Sequence, residues 1–143
     1  MNMGVISNFI KLPSRDKLVA LESLFWVIRI RITLWLFPFP SVQRKVQKKA
    51  SKHHPTKEHV ISMAKLRTMI TVASRYVPRA TCLVQALAGY ILFSKYGYQP
   101  SIKIGVSTLN GEFEAHAWLE DDNRVVLGES EKEFKTILDI DQT

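Results

Sequence analysis

Apolar residues recur at three- and four-residue steps over the first two thirds of the chain and at two-residue steps after it. The first period marks one face of a helix and the second one face of a strand. Leu18, Leu21, Phe25, Ile28, Ile32 and Trp35 form the first helical stripe, with Arg15, Glu22, Arg29 and Thr33 on another. This predicts an amphipathic helix that packs against protein or lies on a surface. Ser14, after Pro13, suits its N-cap, and the run Phe37-Pro38-Phe39-Pro40-Ser41 stops it, since proline lacks the amide and restricts its predecessor. Residues 42–54 (VQRKVQKKASKHH) hold only two large apolar side chains and read as a solvated helix or mobile linker. The alternative is a basic docking strip for acidic peptide, nucleic acid or anionic lipid.

Pro55-Thr56-Lys57-Glu58 is expected to open a second helix, with Val60, Met63, Leu66, Ile70, Ala73 and Val77 on one face and Pro78 interrupting it. Cys82 to Phe93 reads as a third helix, apolar enough to be central, capped by Thr81 or a neighbour and closed by Gly97. Strands are expected over 101–108, where Ile102, Ile104 and Val106 alternate with Lys103, Gly105 and Ser107, then over 112–120 and 124–128. Asn110-Gly111 and Asp121-Asp122-Asn123 supply the turns. Helices first and an antiparallel sheet after them make the fold class α+β.

Composition adds limits. A chain of 143 residues, 46% hydrophobic and 23% charged, can bury a core without staples. Its single cysteine excludes an internal disulfide and any multi-cysteine zinc site, and suits a reducing compartment such as the cytoplasm. His53, His54 and His59 have only Glu58 as a nearby carboxylate, so no metal is expected. No cofactor is implied. Residues 1–80 carry 15 Lys and Arg against 3 Asp and Glu, a net of +12; residues 81–143 carry 5 against 10, a net of −5. Such a split points to different partners for different surfaces, and a nucleic-acid binder would be basic throughout. Residues 1–12 lack the features of a secretory signal, and the apolar run 18–40 is broken by Glu22, Arg29 and Arg31, so no transmembrane segment is expected.

The chemistry gathers around Cys82. A nucleophilic thiolate needs positive potential and a proton acceptor, which a helix N-terminus and a histidine supply. Cys82 stands where the third helix begins, just after Arg79. On the second strand Glu114, His116 and Trp118 share one face, while Phe113, Ala115, Ala117 and Leu119 share the core face. With Asp122-Asn123 as a two-residue turn, Asp121 pairs with Arg124, Trp118 with Leu127 and His116 with Glu129, leaving Glu129 opposite the imidazole. A three-residue turn would shift that pairing to Gly128, and Asp121 or Asp122 is the alternative carboxylate. Gln85, one turn beyond Cys82, either faces the site or points outward.

A cysteine at a helix start, then a strand histidine, then an acid on the next strand is the order of papain-like and transglutaminase-like thiol enzymes. The segments Cys82-Leu83-Val84-Gln85-Ala86-Leu87, Tyr96-Gly97-Tyr98, Ile104-Gly105-Val106 and Glu114-Ala115-His116-Ala117-Trp118-Leu119-Glu120 closely resemble the lasso-peptide leader peptidases, over about 79–128. The helix ending in Leu36-Phe37-Pro38-Phe39 is similar to that family's N-terminal segment. The resemblance implies a cysteine peptidase that removes the leader of a ribosomally made precursor, with Cys82 as nucleophile and His116 as base. It also implies a separate leader-recognition protein and an ATP-using lasso cyclase as partners. The family's third residue, an aspartate about a dozen positions after the histidine, falls on Gly128 here, with Glu129 beside it. Residues 1–54 would then be an N-terminal helix and basic segment, and 55–143 the transglutaminase-like peptidase core. A silent peptide-binding adaptor, or an amidase or transglutaminase on the same scaffold, are the rival readings.

Overall fold

The computed structural model describes residues 14–52, 61–78, 81–108, 111, 114–121, 124–128 and 135–140. Among the described residues four helices come first: α1 (Ser14–Leu36), α2 (Phe39–Ala50), α3 (Met63–Arg75) and α4 (Cys82–Lys95). Strands β1 (Ser101–Ser107), β2 (Glu114–Asp121), β3 (Arg124–Leu127) and β4 (Lys135–Ile140) follow, in one antiparallel sheet ordered β3-β2-β1-β4. The α+β expectation holds. No element was expected beyond Gly128, so β4 is an addition: it crosses the sheet to pair with β1 on the side away from β2.

Helix α1 packs on the stripe that looks less apolar in the sequence. Asp16, Val19, Ser23, Val27 and Ile30 are buried, whereas Leu18, Leu21, Phe25, Ile28, Ile32 and Trp35 are exposed, Trp35 by 75%. The two polar members of the buried stripe are satisfied locally: Ser23 Oγ donates to the Val19 carbonyl at 2.8 Å, and Asp16 pairs with Lys65 Nζ at 2.8 Å. Small and β-branched residues let α1 lie close on α3 and α4; the larger side chains stand outside.

The prolines at 38 and 40 end α1 and also start α2, where Pro40 falls in the first turn and needs no amide partner. Residues 42–50 are neither linker nor fully solvated, because Val42, Val46 and Ala50 are buried at successive turns. Helix α3 begins later than expected, at Met63, with Ser62 Oγ accepting from the Lys65 amide at 3.2 Å; the expected opening at 55–58 lies outside the described residues. Leu66, Ile70 and Ala73 are buried as the pattern predicts.

Helix α4 is the centre. From Ala86 to Ser94 every residue is buried, with α1, α2 and α3 around it and the sheet beneath. Gly89 is where the sheet comes closest: a Cβ there would stand 2.6 Å from Leu127 Cδ2 and 3.2 Å from Leu119 Cδ2. Gly97, at φ 92°, reverses the chain after α4 and sends β1 back along it. Among the described residues no helix is long and apolar enough to cross a membrane.

Candidate active site

Cys82 is the first residue of α4, half-buried, with Thr81 in the N-cap position. Thr81 makes no side-chain cap, and the first turn holds no acidic residue. The earliest intrahelical bond runs from the Gln85 amide to the Thr81 carbonyl at 3.0 Å. The amides of Cys82, Leu83 and Val84 precede it and have no intrahelical acceptor, which is the arrangement that stabilises a thiolate or an oxyanion. Gln85 is half-buried, and Arg79 lies outside the described residues.

His116 belongs to β2 and stacks on Trp118 two residues later, with ring centroids 5.9 Å apart and planes 18° apart. The expected shared face of these two is confirmed. Ala117 and Leu119 are buried on the other face, whereas Ala115, expected with them, is exposed.

The level of His116 relative to Cys82 follows from element geometry. Strand β2 runs in the same sense as α4: Leu119 lies against Gly89, and Asp121, farther along β2, acts on Tyr98, whose ring meets that of Phe93. Three residues back from Leu119 along β2, roughly 10 Å, is His116; seven residues back from Gly89 along α4, again roughly 10 Å, is Cys82. The two residues thus stand level along their elements, with the His116 ring on the sheet face opposite the one that Leu119 turns to α4. Among the described residues no hydrogen bond joins Cys82 Sγ to the ring.

The imidazole is held from β3. His116 Nε2 lies 2.6 Å from the Gly128 carbonyl oxygen. A carbonyl only accepts, so Nε2 carries the proton, and in the neutral ring Nδ1 is the nitrogen with the lone pair. The expected register breaks before it reaches this point. Asp121 pairs with Arg124 as expected, but a bulge between Leu119 and Glu120 puts Leu119, not Trp118, opposite Leu127. The pairing that set Glu129 across from His116 therefore does not hold, and Glu129 itself lies outside the described residues, as does Asp122. Asp121 is in the β2–β3 ladder.

The bulge lodges Gly128 against Trp118. Its φ is 82°, and a Cβ would meet the Ala117 carbonyl oxygen at 3.1 Å and Trp118 Cβ at 3.3 Å. The motif spacing that calls for an acid falls on this glycine, whose carbonyl rather than a side chain meets His116. Across β2, His116 pairs with the buried Gly105, which puts no side chain beside the ring's strand, and a second bulge follows at Ile104/Gly105. Bulges at such places aim side chains. The histidines at 53, 54 and 59 lie outside the described residues, and no metal-binding cluster of three His, Cys, Asp or Glu occurs among those described.

Helices followed by an antiparallel sheet, a cysteine heading the central helix and a strand histidine held by the next strand define the layout of thiol-dependent acyl-transfer proteins. The model of the Transglutaminase-like superfamily matches residues 24–139, most of the helical layer and nearly the whole sheet. The chain belongs to the transglutaminase-like superfamily, which includes cysteine peptidases. No curated protein and no solved structure matches it significantly.

Proposed function

We propose that the chain is a cysteine peptidase that removes the leader from a ribosomally synthesised lasso-peptide precursor in the cytoplasm, together with a separate leader-recognition protein and a cyclase. The observation that carries the peptidase reading is the pair of groups: a thiol on a helix N-terminus without a side-chain cap, and, level with it, an imidazole whose Nε2–H donates to the Gly128 carbonyl. The motif around Cys82 and the run Ala115-His116-Ala117-Trp118 support the narrower leader-peptidase reading.

In this mechanism His116 Nδ1 takes the Cys82 proton, and the thiolate attacks the scissile carbonyl. The Cys82 amide at the helix start donates to the oxyanion. The imidazolium returns its proton to the leaving amine, and water then resolves the thioester to release the carboxylate. The Gly128 carbonyl, accepting from Nε2–H, holds the ring in the tautomer this requires.

The test incubates purified chain with the neighbouring precursor, with and without the leader-binding protein, and reads masses. Leader release that disappears in Cys82→Ala and His116→Ala is expected. No release under either condition, or release surviving Cys82→Ala, overturns the reading.

A further inference from the structure

The exposed stripe of α1 is not uniform. Toward its C-terminal end it forms one wall of a groove of about 480 Å3, lined by Ile28, Arg31, Ile32 and Trp35 from α1 and by Tyr76 and Pro78 after α3. This end of α1 is also the Cys82 end of α4. Glu22, in the first half of α1, pairs with Lys95 and accepts from Tyr96 Oη at 2.6 Å, at the far end of α4. Farther along α1, Trp26, Ile30 and Thr33 share a cavity with Ile91. Advancing along α1 therefore means retreating along α4, so the two helices are antiparallel and Cys82 lies toward Trp35. Pro78, on the groove's other wall, is four residues from Cys82, at most ~14 Å along the chain.

The groove also has a sign. Among the described residues Arg31 forms no ion pair and no acidic side chain lines the groove. The two carboxylates of α1 are both engaged elsewhere, Asp16 by Lys65 and Glu22 by Lys95 and Tyr96. An apolar trough with one uncompensated guanidinium, toward the Cys82 end of α4, fits a peptide that offers a large apolar side chain and a carboxylate.

We propose that this groove is a substrate subsite: a large apolar side chain of the peptide seats against Ile32 and Trp35, and an acidic residue of the same peptide pairs with Arg31, delivering the scissile bond to Cys82. The proposal rests on the peptidase reading and names the class of peptide the site takes.

Its test separates the two. Full-length chain carrying Cys82→Ala is titrated, by fluorescence anisotropy, into two short labelled synthetic peptides that share Leu and Phe and differ in having Glu or Lys. The Glu peptide is expected to bind and the Lys peptide not. Arg31→Glu should weaken the Glu peptide about tenfold and admit the Lys peptide, and Trp35→Ala should weaken binding by a similar factor. With the Cys82 form of the chain and the precursor, the same two variants should raise KM and leave kcat in place. Equal affinity for both peptides, or no response to Arg31→Glu, overturns the subsite. So does a surface that instead binds phosphatidylglycerol vesicles or forms a Trp35-dependent dimer without binding peptide. Precursor cleavage with unchanged KM in both variants would sink the subsite and leave the peptidase reading standing.

Discussion

Gly128 concentrates most of what the site asks of a single residue. It adopts a positive φ, leaves no room for a Cβ beside Trp118, and offers its carbonyl to His116. An L residue in that conformation costs roughly 1–2 kcal/mol before any clash is counted. Gly128→Ala should therefore lower the urea midpoint, and by displacing the carbonyl it should depress kcat on the precursor more than KM. An unchanged kcat beside a lowered midpoint would show that the carbonyl does not orient the ring. Cys82 is the complementary case, a residue proposed to act through its own side chain and set by its backbone position at the head of α4. Both were readable in the sequence as residues, Cys82 by its place at a helix start and His116 by its strand face. The partner of His116 was not, because one bulge moves everything beyond Leu119 by one position.

At the scale of elements, α1 is the instructive case. Its two apolar stripes have the same period, and hydrophobicity alone favours the one that ends up outside. Packing chose the other because Val19, Ser23 and Val27 allow close approach while Asp16 and Ser23 find partners. Leu21→Glu should accordingly change stability by less than ~0.5 kcal/mol, as surface changes do. Val27→Ala, which removes two buried methyl groups, should cost ~1–2 kcal/mol. Chemical denaturation of the two variants distinguishes the faces, and the opposite ranking would reverse the orientation of α1. The C-terminus of α4 makes a pH prediction. Burial, and then the hydrogen bond and charge of Glu22, push the Tyr96 phenol well above its usual value of 10.0. Folded chain keeps that proton where unfolded chain loses it, so the stabilisation is complete below pH 10 and is lost as pH rises beyond it toward the folded value. Tyr96→Phe should flatten the fall of the urea midpoint above pH 10. The flattening will be partial, because burial and Asp121 also raise Tyr98.

For the whole molecule, one core joins the two compositional halves of the chain. Val19 and Val27 of α1, Val46 of α2, Leu66 of α3, Phe93 of α4 and Leu119 of β2 belong to a single buried cluster. Residues on both sides of the compositional divide are thus in one cooperative unit. Equilibrium unfolding should be a single transition, with tryptophan fluorescence, which reports on Trp26, Trp35 and Trp118, coinciding with far-ultraviolet circular dichroism. Two separated transitions would show that the basic helices fold apart from the sheet. The charge division survives this unity because it is a property of surfaces. Arg31 and the α2 lysines decorate the helical layer, while Glu114, Glu120 and Asp121 line the sheet.

The local pattern by itself determined the run of helices followed by strands as far as β3, the central place of the Cys82 helix, the shared face of His116 and Trp118 and the candidate residues for thiol chemistry. Each of these depends on periodicity or residue type within a dozen positions. Tertiary structure decided the buried face of α1, the pairing of β4 with β1, and the carbonyl that holds the histidine. These turn on close approach, on register and on bulges, where a displacement of one residue or a methyl group decides the outcome and local pattern carries no record of it.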